Sequence, residues 1–259
     1  MTTHASEACA KPLTRRRVPL STGCGEPHRC PPSVRLQVLS RIGYFAGLDD
    51  AALADVDRRF VSLAWAQGEA LYRAGDPAEH LYVLASGRVK VVHPTERGTD
   101  VITDVLLPGD LFGTLSTLGD PTHPETAQAL TTVCALRMDV EAFRSVLVAH
   151  PAVALRVLDD VAARLQAART GAARTVSGTV EQRVAGVLLR LSDRLGQEQR
   201  TGGTLLQLPL TRADLAAMTG STPESVSRVM SRLRRDGIVA TGRRWTSVVD
   251  AARLVRLAG

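Results

Sequence analysis

Residues 208–239 read LPLTRADLAAMTGSTPESVSRVMSRLRRDGIV, and the order of caps, apolar positions and arginines in this stretch decides the fold of the last third of the chain. Thr211 with Asp214 three residues on is a helix start, because hydroxyl and carboxylate can each satisfy an unpaired N–H of the first turn. The chain then turns through Thr219, Gly220 and Ser221 and starts a second helix. Thr222 can cap it, Pro223 suits a first helical position whose N–H would be unpaired anyway, and Glu224 meets the positive end of the dipole. Val226, Val229, Met230 and Leu233 share one face, while Arg228, Arg232, Arg234 and Arg235 lie mostly off it. Two short helices joined by a glycine turn, with small Ala216 at the crossing, make a helix-turn-helix. The arginine-bearing helix is its candidate recognition helix.

The flanks extend this unit. Upstream, Thr179 with Gln182 forms a capping box for a helix whose apolar face is Val184, Val187, Leu188, Leu191 and Leu195. Downstream, GIVATGRRWTSVVD alternates around Gly242 and predicts a two-stranded wing. From Thr179 onward thirteen arginines face seven acidic residues, a surplus equal to the +6 of the whole chain. A basic domain joined to a neutral one suggests a module for a polyanion attached to something with another task.

The rest of the 259 residues falls into three regions. Residues 1–31 hold prolines, Arg15 to Arg17 and three of the four cysteines, Cys9, Cys24 and Cys30, without apolar periodicity. A helical pattern covers 33–59. From Phe60 to about Met138 short alternating runs such as EALYRAG, HLYVLAS, RVKVVH and DVITDVLL, each closed by Gly, Pro or Asp, predict a small antiparallel barrel or sandwich. Asp139 to about Ala173 is helical, with Pro151 opening its longest piece. Within it Ala154, Leu158, Val161, Leu165 and Ala168 step by four and three, the rhythm of two helices packing side by side. That seam suits a dimer; the alternative is that the face packs on the chain's own barrel. We divide the chain into an arm (1–32), a barrel domain (33–138), a dimerisation helix (139–178) and a winged helix-turn-helix (179–259).

No apolar run approaches the length that spans a bilayer, and the N-terminus lacks the apolar core of a secretory signal. The expectation is a cytoplasmic protein with no membrane partner. No nucleophile motif or phosphate-cradling glycine loop supports an enzyme.

The chain from about Leu39 to its end resembles the Crp/Fnr regulators of bacterial transcription. QGEALYRAGDPAEHLYVLASGRVKV and LPGDLFG are similar to that family's barrel, and residues 208–239 to its winged helix-turn-helix. The resemblance implies an α+β fold: an N-terminal cyclic-nucleotide-binding-like β-barrel (double-stranded β-helix), a long dimerisation helix and a C-terminal DNA-binding domain. Its implied partners are double-stranded DNA, a second copy and RNA polymerase. Glu224, Ser227 and Arg228 match the Glu-x-x-Ser-Arg arrangement of the Fnr branch, which implies TTGA-like half-sites. The chemistry agrees, since arginine pairs bidentately with guanine, glutamate accepts from cytosine N4 and serine is permissive. Thr222 at the helix start is grouped with these residues, and Arg212, Arg232, Arg243 and Arg244 are assigned to phosphates.

What the barrel senses is read from two further sets. Where cyclic-nucleotide-binding members place Gly-Glu-Leu on the ribose and an arginine on the phosphate, this chain has Gly113-Thr114-Leu115 and Glu125-Thr126-Ala127. A carboxylate where the phosphate's counter-charge belongs argues against conventional cyclic AMP binding. The cysteines offer another sensor. Cys9, Cys24 and Cys30 plus Cys134 resemble the three-plus-one set with which Fnr holds a 4Fe-4S cluster, although fourteen residues separate Cys9 from Cys24 and Cys134 falls two places early. His28 leaves a zinc or mixed-ligand site open, and thiols without metal are the third reading. The function expected is a homodimeric DNA-binding regulator answering a redox, oxygen or metal-linked signal; the alternative is one gated by a cyclic nucleotide or another small ligand in the barrel.

Overall fold

A computed structural model describes residues 30–95, 100–113, 121–175, 178–200 and 202–259, and the side chains of its longest helix except those at 164 and 167–175. The chain enters through α1 (Pro32–Ser40), a 3-10 turn (Gly43–Phe45) and α2 (Asp50–Arg58). The Arg35 guanidinium grips the Asp57 carboxylate at 2.8 and 2.9 Å and its carbonyl at 2.6 Å. That fork ties α1 to α2 over the buried Leu39, Ile42, Phe45 and Val56.

Among the described residues eight strands follow: β1 (Val61–Trp65), β2 (Ala70–Tyr72), β3 (His80–Ser86), β4 (Val89–Pro94), β5 (Asp100–Leu106), β6 (Leu111–Gly113), β7 (Thr126–Ala129) and β8 (Val133–Asp139). They form two four-stranded antiparallel sheets, in the orders β1-β8-β3-β6 and β2-β7-β4-β5. Alternation fills the space between them: Leu63, Trp65, Tyr72, Tyr82, Leu84, Val89, Val91 and Phe112 form one apolar cluster. Residues between those inward positions, such as Lys90 and Gln128, face outward, as a period of two requires.

Pro151 separates α3 (Val140–Ala149) from α4 (Pro151–Thr175), and His150 at φ −130°, ψ 77° is pushed out of the helical region as the residue before a proline tends to be. On α4, Val153 and Val157 are buried against the chain's own barrel domain. Leu155, Leu158, Val161 and Leu165 stand exposed, three of them by more than half. The stepped face therefore does not pack on the barrel; Ala154 is half-buried, and the side chain of Ala168 lies outside the described residues.

The C-terminal domain runs α5 (Val180–Leu195), β9 (Gln197–Glu198), β10 (Thr204–Leu206), α6 (Arg212–Thr219), α7 (Pro223–Arg235), β11 (Val239–Gly242), β12 (Trp245–Val248) and α8 (Ala251–Ala258). The predicted two-stranded wing is the β11–β12 hairpin, and β10 and β9 extend it into a sheet of the order β11-β12-β10-β9. Strands of two and three residues are too short to leave an alternation in sequence. Val105 of β5 and Leu130 join the apolar cluster of α5, α6 and α7, which seats this domain on the barrel. No helix of the described residues is long and apolar enough to cross a membrane.

Candidate nucleic-acid interface

The helix-turn-helix is assembled by its caps. Thr211 Oγ1 accepts from the Asp214 N–H at 3.0 Å while Asp214 Oδ2 accepts from the Thr211 N–H at 2.8 Å, closing the predicted box at the start of α6. Gly220 ends α6 at φ +56°, ψ +44°, a left-handed conformation that a side chain disfavours. Thr222 accepts from the Ser225 N–H at 3.3 Å and starts α7. Ala216 is 3% exposed, so the two helices approach closely there.

On α7 the buried side is Val226, Met230 and Leu233, each 1% exposed or less. Filling them with apolar volume fixes the helix, since burying each such side chain is worth about 1.5 to 3 kcal/mol. On the opposite side Glu224 and Arg228 are exposed and Ser227 is half-exposed. Positions i, i+3 and i+4 share a face, and this one is open to a groove. The Glu224 carboxylate is held below its ordinary range by its own backbone N–H and by the Thr222 hydroxyl, with Arg228 adding attraction. It is an acceptor at neutral pH. Arg228 donates to Ser225 Oγ at 3.3 Å and so lies back along the helix.

The residues assigned to phosphates differ in setting. Arg243 is exposed at the wing tip. Arg244 beside it sits at φ +68° and donates to Gln67 Oε1 on the barrel at 3.2 Å. Arg232 is paired with Glu181 of α5 at 3.3 Å. Arg212 is half-buried near Arg234, and desolvation makes its charge less favourable than in water. Of the four, Arg212, Arg232 and Arg244 have protein neighbours that no local pattern in the chain anticipates.

Polar ties join this domain to the barrel. Lys90 Nζ of β4 meets Asp214 Oδ1 at 2.7 Å, and Arg194 at the end of α5 reaches Asp104 and Asp110 at 2.6 and 3.0 Å. None of these partners is local in sequence. The one available signal was the outward phase of Lys90 in RVKVVH, which exposes a cation on a sheet face but names no acceptor.

Inside the barrel, Gly113 adopts φ +97° and a Cβ there would meet the His80 carbonyl at 2.8 Å. Thr114 and Leu115 lie outside the described residues. Glu125 is half-buried beside Tyr72, and burial raises its carboxyl above the ordinary range. Thr126 Oγ1 accepts from the Ala74 N–H at 3.0 Å. The His123 ring stacks on Tyr72 at 3.8 Å, and its Nδ1 and the Tyr72 hydroxyl are buried without a well-formed hydrogen bond.

Of the candidate metal ligands, Cys9 and Cys24 lie outside the described residues, as does His28. Cys30 and Cys134 meet: the Cys134 thiol hydrogen-bonds to the Cys30 sulfur, and they form no disulfide. Burial raises both thiols, Cys134 to about 12, while Arg35 draws Cys30 downward. Among the described residues no group of three or more His, Cys, Asp or Glu converges as a metal site.

Comparison with known proteins covers both domains. The family model of the cyclic nucleotide-binding domain matches residues 63–150, and that of the Crp-like helix-turn-helix domain matches 182–257. The chain is 28% identical over 223 residues to the CRP-like cAMP-activated global transcriptional regulator of Mycobacterium tuberculosis, covering 86% of this chain and 99% of that protein. It is also 28% identical over 208 residues to the fumarate and nitrate reduction regulatory protein of Escherichia coli, covering 74% and 76%. The crystal structure of a CRP-family transcriptional regulator from Thermus thermophilus is 31% identical and superposes with a TM-score of 0.64 over 76% of this chain and 96% of that one.

Proposed function

The chain belongs to the Crp/Fnr family of transcriptional regulators, and on that premise we propose that it works as a homodimer reading inverted repeats of TTGA-like half-sites. The observation that carries this reading is the exposed Glu224, Ser227 and Arg228 face of α7, backed by the buried Val226, Met230 and Leu233. An arginine aimed at a guanine edge supplies discrimination, and the arginine surplus supplies phosphate affinity. The exposed Leu155, Leu158, Val161 and Leu165 support pairing of α4 with its copy. Two-fold symmetry then places two α7 helices one helical turn of DNA apart. RNA polymerase is the partner through which a bound regulator acts, in the cytoplasm, and the relatives' names support regulation over catalysis.

For the signal, we propose Cys9, Cys24, Cys30 and Cys134 as ligands of a 4Fe-4S cluster. The meeting of Cys30 with Cys134 fits half of that ligand set. Such a cluster supplies oxygen-labile redox chemistry when bound. Both described thiols are held protonated by burial, so cluster binding releases protons at these sulfurs. The ligand-gated barrel is the second reading. It is favoured by the match of residues 63–150 to a cyclic nucleotide-binding domain and by the buried polar atoms of Tyr72 and His123. Glu125 counts against an anionic occupant.

The test is fluorescence anisotropy of anaerobically prepared protein on a duplex with a TTGA-type inverted repeat and on a scrambled duplex of equal length. The reading requires a specificity ratio of at least about a thousand at physiological salt. Equal affinity for both duplexes refutes it.

A further inference from the structure

Two sulfurs from the two ends of the barrel domain's sequence meet on its outer face. Cys134 lies on β8 between Val133 and Ala135, which point into the barrel. By the period of two its side chain stands on the other face with Leu136 and Met138, in the cluster that Leu39 of α1, Val56 of α2 and Phe143 of α3 complete. Its backbone is held from both sides, opposite Ala64 of β1 and Ser86 of β3. Cys134 is 8% exposed.

Cys30 is placed from the other direction. It precedes Pro31 and Pro32, whose rings fix two successive φ angles where α1 begins. The Pro31 carbonyl accepts from the Val34 and Arg35 N–H groups at 2.9 and 3.1 Å, and Arg35 in turn grips Asp57 of α2. The start of α1 is therefore pinned, and Cys30 with it. The Cys134 thiol donates to the Cys30 sulfur, and no disulfide joins them. In a 4Fe-4S cluster each iron takes its own thiolate, which keeps the ligand sulfurs apart. A direct contact of two sulfurs suits a different bond.

We propose that Cys30 and Cys134 form a two-electron redox site that a hydroperoxide closes to a disulfide, stapling the entry of α1 to β8. The inference concerns the chain without a cluster and rests on neither the signal nor the DNA reading proposed above. Access assigns the roles, since Cys30 is half-exposed and Cys134 is buried. The Cys30 sulfur attacks the peroxide: an S–O bond forms, the O–O bond breaks, and the departing oxygen leaves with the thiol proton, as water from hydrogen peroxide. The Cys134 sulfur then attacks the Cys30 sulfenic acid. An S–S bond forms, the S–O bond breaks, and the hydroxyl leaves as water with the Cys134 proton. The two thiols lose two electrons to the peroxide, which is reduced. Burial slows the first step without changing which sulfurs meet.

The experiment uses full-length protein stripped of metal by a chelator, reduced with dithiothreitol, desalted anaerobically and given a small molar excess of hydrogen peroxide. In C9S/C24S, which keeps only the described pair of the four cysteines, both free thiols should disappear. A nonreduced digest should then yield the Cys30 and Cys134 peptides joined and two hydrogens lighter than their sum, and dithiothreitol should restore both thiols. In wild type the same link should dominate over any bond from Cys9 or Cys24. Oxidised C9S/C24S should melt at least about 4 °C above the reduced form, because the staple closes most of the barrel domain into one loop. Adding C30S should slow the oxidation of Cys134 at least about tenfold, since the peroxide must then reach a buried sulfur directly. Cys30 carried to a sulfinic acid while the Cys134 thiol survives overturns the proposal. So does preferred linkage to Cys9 or Cys24, or a bond between two chains in place of the internal one. A disulfide that fails to raise the melting temperature overturns it as well, because the two backbones are then not set for the bond.

Discussion

Lys90 on β4 and Asp214 on α6 form an ion pair 2.7 Å long with side chains only 19% and 9% exposed, and they join the barrel to the helix-turn-helix. Asp214 does two things with one carboxylate: Oδ2 closes the α6 capping box with Thr211, and Oδ1 takes the lysine. Burial alone would raise its pKa, but the hydrogen bonds from Lys90 and Thr211 outweigh that and hold it below the ordinary range. Lys90 pairs in register with Gln128 of β7, the strand that follows Glu125. Thr126, two residues before Gln128, lies on the same outward face and lines one cleft with Lys90, Ala213 and Asp214.

Removing Lys90 strands a buried carboxylate, so K90M should destabilise the docked arrangement by about 3 kcal/mol. The sign with pH follows from the lowered pKa of Asp214: the pair's contribution is present above the unfolded carboxylate value of about 4 and is lost as pH falls through the lower folded value. Thermal melts of wild type and K90M should thus differ at pH 7 and converge in acid. A constant gap across that range would show that the stability lies elsewhere.

Replacing both Leu158 and Val161 by glutamate should give monomers, because the exposed stripe of α4 then carries like charges at the centre of the seam. Sedimentation of the variant should report half the wild-type mass, with loss of inverted-repeat binding. An unchanged mass would remove the seam. The fold itself should survive, since Val153 and Val157, which pack on the barrel, are untouched.

Local signals were legible in sequence and long-range ones were not. The caps at Thr179, Thr211 and Thr222 and the buried stripe of α7 depend on residues within one turn, and all appear in the structure. Lys90 with Asp214 spans 124 positions and Arg194 with Asp104 spans 90; no periodicity encodes such a pairing. Leu155 escaped the seam because it breaks the four-three step, yet it is 64% exposed. β9 and β10 escaped because two or three residues cannot display alternation.

Isothermal titration with cyclic AMP at micromolar concentration should give no saturable heat. By the resemblance Glu125 stands where the family places the phosphate's counter-charge, and a half-buried carboxylate near a second anion is repelled whenever it is ionised. Since burial raises this carboxyl, any weak binding should strengthen as the pH falls through its pKa and neutralises it. Stoichiometric binding at pH 7 that E125A abolishes would overturn this.

Anaerobic purification should yield brown protein with about four irons per chain that bleaches in air, as a cluster on four thiolates requires. C134S should remove the colour while leaving the barrel folded, because Cys134 is a small strand residue and serine keeps its volume. Colourless, iron-free protein from a cluster-competent preparation sinks the assignment. One zinc per chain would redirect it to the mixed-ligand alternative.

The sharpest test separates reading from holding on the exposed face of α7 and the wing. Arg228, one turn beyond Glu224, can approach a guanine through O6 and N7, and such a bidentate pair is worth about 1 to 3 kcal/mol of discrimination. Arg243 is exposed at the wing tip, and we assign it to a phosphate. R228A should therefore weaken binding to the inverted repeat about tenfold or more while leaving random duplex nearly unchanged, and should relax preference at the guanine. R243A should weaken both duplexes alike and flatten the dependence of affinity on salt, because a phosphate that no longer meets its arginine keeps its counterion, which lowers the slope by about one. Titrations of both variants at three salt concentrations distinguish the two patterns. If R228A weakened specific and random duplex equally, Arg228 would be a phosphate-binding residue, and the half-site assignment drawn from Glu224, Ser227 and Arg228 would fail.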